Sequence, residues 1–135
     1  IEALGAADVV LLPPSNPVVS IGAILHVTGI REALVASAAP VVGVSPIVGG
    51  APVRGMADAC LAAVGVETTA AAVAAHYGAR LAGGLLDGWL VDEQDAATPP
   101  PPGVRQRARP LMMTDVAAAE AIAGSALDLA LDLRP

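Results

Sequence analysis

Short, unbroken apolar runs punctuate the chain at residues 9–12, 41–44 and, interrupted by Asp87, 85–91. None alternates with polar residues, which is the pattern of strands covered on both faces. The first run leads into Pro14-Ser15-Asn16-Pro17. The second leads into Ser45-Pro46-Ile47-Val48-Gly49-Gly50. Each of these loops opens a helix-like segment. Strand, small-residue loop and helix in repetition predict a parallel sheet, whose crossovers gather the loops at the carboxyl edge. The fold class is therefore α/β, with a mostly parallel sheet and helices on both faces. Residues 104–109 are ambiguous. Arg105, Arg107 and Arg109 alternate as on an edge strand, but Pro110 follows at once and a loop fits equally.

The helices follow from periodicity and stop signals. Residues 1–6 read as a helix end stopped by Gly5. Asn16 caps residues 18–25, with Pro17 at the first helical position. Thr28-Gly29 separates this segment from residues 30–37. Residues 55–63 stop at Gly65, and Ala70–Tyr77, capped by Thr68 or Thr69, stops at Gly78. The last helix, residues 116–131, is capped by Thr114 or Asp115. It places Val116, Ala119, Ile122, Ala123, Ala126, Leu127 and Ala130 on one arc, with Ser125, Asp128 and Asp132 opposite. Between strand and last helix, residues 93–103 form a proline-rich surface loop or flexible excursion. Its prolines 99–102 favour an extended conformation. The opening Ile1-Glu2-Ala3-Leu4-Gly5 resembles the last turns of a helix and carries no initiator Met, so an N-terminal portion is expected to precede it.

Composition narrows the function classes. The 135 residues suffice for one core, and 55% apolar content excludes disorder. A net charge of −6 and the absence of Lys argue against nucleic-acid binding. One Trp, one Tyr and no Phe leave little scope for aromatic stacking as a binding device. The single Cys60 forms no intrachain disulfide and no multi-Cys zinc site, and nothing points to an oxidising compartment, so a cytoplasmic location is expected. The uncharged stretch 9–30 contains Pro13, Pro14 and Pro17, which disqualify it as a membrane span.

Candidate chemistry collects in the two strand-end loops. Ser15 and Asn16 offer a hydroxyl and an amide at a helix start, suited to a phosphate or sugar or simply to capping. Ser45 stands at a strand end, and Gly49 and Gly50 allow close backbone approach and positive φ. Arg54 suits a phosphate contact, or is merely solvated. Asp58 fits the first turn of a helix. Gly43-Val44-Ser45 begins like a nucleophile elbow, but Pro46 follows the serine and Ile47 stands where glycine is needed. His26 and His76 lie in no triad context. Asp92, Glu93 and Asp95 are metal-ligand types, though such a charge run is usually solvated. No dinucleotide or P-loop fingerprint occurs.

Several blocks in order resemble one family: Pro14-Ser15-Asn16-Pro17-Val18-Val19-Ser20-Ile21-Gly22, Gly29-Ile30-Arg31-Glu32-Ala33-Leu34, Val44-Ser45-Pro46-Ile47-Val48-Gly49-Gly50, Val53-Arg54-Gly55-Met56-Ala57-Asp58, Ala75-His76-Tyr77-Gly78 and Leu86-Asp87-Gly88. They are similar to the CofD/FbiA family of 2-phospho-L-lactate or phosphoenolpyruvate transferases of coenzyme F-420 biosynthesis. The resemblance implies a Rossmann-like fold of which residues 1–135 are the C-terminal portion of a single domain, part of a larger three-layer fold. It implies transfer of a phospholactyl or phosphoenolpyruvyl group from a guanosine-diphosphate-linked donor to a deazaflavin alcohol, releasing GMP. It implies Mg2+, with its ligands outside this chain, and catalytic residues expected there too. Ser15, Asn16, Pro17, Ser45, Pro46, Ile47, Gly49, Gly50 and Arg54 are the implied substrate and nucleotide contacts. A homodimer is compatible with this picture; nucleic acid and membrane partners are not. Two other readings stand beside it: a nucleotide-sugar-binding regulator of the gluconeogenesis-factor type, and a non-catalytic assembly piece.

Overall fold

The computed structural model describes residues 1–134. Four parallel strands form its sheet: β1 (Val10–Leu12), β2 (Val41–Val44), β5 (Gly88–Val91) and β6 (Arg105–Ala108), in the order β1-β2-β5-β6. Val10 pairs with Val41, Val42 with Gly88, and Gly88 with Arg105. The ambiguous arginine segment is thus an edge strand. Its Arg107 pairs with Asp132 at 2.6 Å.

β2 and β5 are buried along their whole length, as unbroken apolar runs require. Their side chains divide between two cores. Val41 and Trp89 join Leu61, Val73, Tyr77 and Leu85 on one face, and Val42, Val44 and Leu90 join Leu111, Ile122 and Leu129 on the other. The first face is covered by α2 (Ile21–Leu25), α3 (Ile30–Ala36), α4 (Ala57–Ala63) and α5 (Ala70–Tyr77), preceded by the short α1 (Glu2–Gly5). The second face is covered by α6 (Val116–Asp132).

Thr69 and Asp115 act as helix caps, whereas Asn16 heads a turn: α2 starts only at Ile21, behind Ser20, so neither Asn16 nor Pro17 stands at the helix start as expected. The Asn16 side chain accepts from the Val18 amide at 2.9 Å, Thr69 from Ala72 at 3.1 Å and Asp115 from Ala118 at 2.7 Å. The buried arc of α6 differs from the expected one. Ile122, Ala126 and Ala130 are buried as expected and Leu129 joins them, whereas Val116 is 84% exposed and Leu127 faces out. Val116 opens the helix, beyond the reach of the short sheet. Ser125 does not face water freely either: the Arg109 guanidinium donates to its hydroxyl and to the Ala121 carbonyl.

Residues 92–104 carry the chain from the end of β5 back to the start of β6, a parallel crossover without an α-helix. The proline run is not extended throughout: Pro101 to Val104 form a turn, in which the Val104 amide donates to the Pro101 carbonyl at 3.1 Å. The Gln106 side chain holds the loop to β6 by donating to the carbonyls of Ala96 and Thr98, both at 3.2 Å.

Candidate functional site

Parallel topology places the loops after β1, β2, β5 and β6 at one edge. In the first loop, the Asn16 oxygen is occupied by the amides of Val18 and Val19, at 2.9 and 3.2 Å. Its amide nitrogen and the Ser15 hydroxyl have no partner among the described residues. Both side chains are half-buried, and Pro17 is buried beneath them.

The second loop is a β-hairpin. β3 (Ile47–Val48) pairs antiparallel with β4 (Ala51–Pro52). Gly49 and Gly50 form its tip with φ of 57° and 82°, both in the region that favours glycine. Both are exposed, as is Arg54 beyond them. Ser45, Pro46 and Ile47 lie differently: all three are buried. The Ser45 hydroxyl donates to the Ile47 carbonyl at 2.8 Å and accepts from the Ile47 amide at 3.1 Å. These residues support the hairpin from below and present no group at its surface.

Of the acidic run after β5, Glu93 is exposed and Asp95 half-buried, while Asp92 is buried. Asp92 is 5% exposed. Its carboxylate accepts from the amides of Gln94 at 3.0 Å and Leu111 at 2.9 Å, joining the loops that follow β5 and β6. Burial pushes its pKa up, but the hydrogen bonds from the Gln94 and Leu111 backbone outweigh that effect and hold it below the ordinary aspartate value. Asp95 accepts from the Gly49 amide at 3.0 Å, tying the hairpin tip to the same loop. Among the described residues no three His, Cys, Asp or Glu side chains converge as a metal site.

A cleft of about 430 Å³ opens beside the hairpin, lined by Glu67, Thr69, the first turn of α5, Asp95 and Thr98. Its lining escaped the sequence reading because Glu67 and Thr98 sit in no motif. The local signals were Thr69 as a cap and Asp95 as a metal-ligand type. Two carboxylates make it a poor phosphate site and a better one for hydroxyl groups.

The sheet, its two helical layers and the loops collected at the carboxyl edge define a Rossmann-like α/β protein. The chain belongs to the CofD family, whose profile, described as 2-phospho-L-lactate transferase CofD, matches residues 1–122. It is 64% identical over 137 residues to the phosphoenolpyruvate transferase of Streptomyces griseus subsp. griseus, covering 99% of this chain and 42% of that protein. The phosphoenolpyruvate transferase of Streptomyces coelicolor is 63% identical with the same coverage, and that of Thermobifida fusca is 63% identical, covering 99% of this chain and 39% of the relative. The chain thus spans about two fifths of the length of the relatives it matches. No helix among the described residues is long and apolar enough to cross a membrane.

Proposed function

We propose that this chain is the part of a phosphoenolpyruvyl-group transferase of coenzyme F-420 biosynthesis that carries its paired strand-end loops. What supports this reading is its identity, above 60%, to relatives named phosphoenolpyruvate transferase. In the proposed reaction a deazaflavin alcohol oxygen attacks the phosphorus of a phosphoenolpyruvyl group linked to GMP. A new P–O bond forms, the bond to GMP breaks, and the hydroxyl proton is lost. Such a step depends on positioning and charge neutralisation. The relatives' names favour phosphoenolpyruvate over phospholactate as the three-carbon group.

Ser15, the free amide nitrogen of Asn16, the glycine tip and Arg54 take the roles of donor contacts. Ser45, Pro46 and Ile47 hold the hairpin in place. Arg54 is the one that supplies charge to a diphosphate. The test is GMP release by the full-length protein, given a guanosine-diphosphate-linked phosphoenolpyruvate and the deazaflavin alcohol. Arg54→Glu should raise KM for the donor roughly tenfold or more, the size of one lost charged hydrogen bond, without unfolding the protein. Tight nucleotide-sugar binding with no GMP release would instead establish the regulator reading, and binding of neither ligand the assembly reading.

A further inference from the structure

Gly49 and Gly50 form the tip of a hairpin whose strands are only two residues long. Strands that short do not hold their own geometry in water, so the tip needs an outside support. The 3₁₀ turn Glu93–Asp95, after β5, supplies it. The Asp95 carboxylate accepts from the Gly49 amide at 3.0 Å. A Cβ at residue 49 would lie 2.7 Å from the Gln94 side-chain oxygen, so the glycine backbone sits directly against the same turn. On its other side the tip faces the loop before α5, where a Cβ at residue 50 would lie 4.0 Å from the Thr68 carbonyl. Among the described residues no other side chain bonds to the Gly49 or Gly50 backbone.

The supporting turn is itself anchored. One Asp92 oxygen accepts from the Gln94 amide at 3.0 Å, and the other accepts from the Leu111 amide at 2.9 Å. Gln106 holds the residues that follow, at Ala96 and Thr98. Asp95 therefore joins a weak element to a firm one, and the loops after β2, β5 and β6 become one frame. Its bond occupies the Gly49 amide. The Gly50 amide has no acceptor among the described residues, and Gly50 is exposed. That amide is the donor the tip presents outward.

We infer that Asp95 is a positioning residue: it fixes the glycine tip so that the Gly50 amide meets the diphosphate of the guanosine-diphosphate-linked donor. The inference rests on the proposed transferase reading and adds to it a residue that acts through the hairpin. Without the Asp95 bond the tip samples several positions, of which a fraction is competent. Apparent affinity falls by that fraction, whereas a donor already bound holds the tip in place. The loss therefore falls on KM for the donor and not on kcat.

The test uses the full-length protein, with GMP release, guanosine diphosphate binding by calorimetry and amide hydrogen exchange as readouts. Asp95→Ala should raise the donor KM at least ~10-fold, with kcat and the KM for the deazaflavin alcohol within about twofold of wild type. Exchange at Gly49 should be at least ~10-fold faster in this variant. Asp95→Asn keeps an acceptor oxygen in place and should bring the donor KM back to within about threefold of wild type. An unchanged donor KM in Asp95→Ala overturns the inference, and so does unchanged exchange at Gly49. A fall in kcat that tracks a fall in melting temperature, equal for the alanine and asparagine variants, overturns it in favour of a merely structural role. Calorimetry separates the inference from the reaction beneath it. If the wild-type protein releases no GMP but binds guanosine diphosphate at least ~10-fold more tightly than Asp95→Ala does, the reaction falls and the role of Asp95 stands. Equal binding by the two proteins overturns the role of Asp95, whether or not GMP is released.

Discussion

Gly43 faces Trp89 across the β2–β5 pair so closely that a Cβ at residue 43 would lie 2.6 Å from the indole Cζ3 and 2.8 Å from Cε3. Trp89 is completely buried. The glycine of the Gly43-Val44-Ser45 string is therefore explained by an aromatic ring and not by a nucleophile. Gly43→Ala should destabilise the chain by about 1–3 kcal/mol through overpacking. Urea unfolding followed by the single tryptophan's fluorescence measures it; an unchanged midpoint would show that the ring has room to move.

Asp92 makes the protein sensitive to acid in a defined direction. Its pKa is lowered in the folded state, so its stabilisation is fully present above the unfolded aspartate value of ~3.9 and fades as pH falls through the lower native value. Asp92→Ala leaves the buried Leu111 amide without its acceptor and should cost about 1–3 kcal/mol at neutral pH. Thermal melts from neutrality down to pH 3 should converge for the two proteins as the medium becomes acidic. Parallel melting curves across that range would show that the carboxylate charge contributes nothing.

The apolar run at 41–44 was legible because a strand covered on both faces tolerates nothing else, and the caps at Thr69 and Asp115 because their chemistry is local; the run at 9–12 reads the same although its strand is only partly covered. The hairpin was harder. Gly49-Gly50 is a recognisable two-residue turn, but strands of two residues carry no periodicity. For Ser45 and Asp92 the sequence leaves the partner open for one reason. A polar side chain at a strand end serves a ligand or the backbone, and only the fold shows that Ile47 and Leu111 are its partners. The α6 arc shifted toward Leu129 because helical spacing gives a stripe without its rotation against the sheet.

Tyr77 predicts a second pH limit, at the alkaline end. Burial pushes its hydroxyl far above the ordinary tyrosine value, and its ring packs edge-on to Trp89 at 6.1 Å between centroids. The folded state holds this proton while the unfolded chain releases it at about pH 10, so stability falls as pH rises past that value. Tyr77 is the only tyrosine, so ultraviolet absorbance of tyrosinate reports on it alone. Its ionisation should coincide with loss of the native tryptophan signal. Tyrosinate appearing near pH 10 in a protein with native tryptophan fluorescence would contradict the burial argument.

The proline crossover carries the last prediction. The fixed φ of the prolines at 99–102 and the turn from Pro101 to Val104 restrict the loop's own freedom, so it depends little on side-chain packing and much on its anchor. That anchor is the Gln106 amide, bound to the carbonyls of Ala96 and Thr98. Gln106→Ala should free the 3₁₀ turn Glu93–Asp95 and the residues after it while leaving the β5–β6 pairing in place. Removing these two hydrogen bonds should cost about 1–2 kcal/mol. Replacing Pro100 and Pro101 by glycine should cost a similar amount by a different route, raising the entropy of the unfolded chain. Hydrogen exchange separates the two. Gln106→Ala should speed exchange at Thr98 while global stability falls modestly, whereas the glycine variant should lower global stability without selective exposure of residues 93–98. Identical exchange patterns for the two variants would show that the loop is held as a single packed unit and not as a stiff span with one anchor.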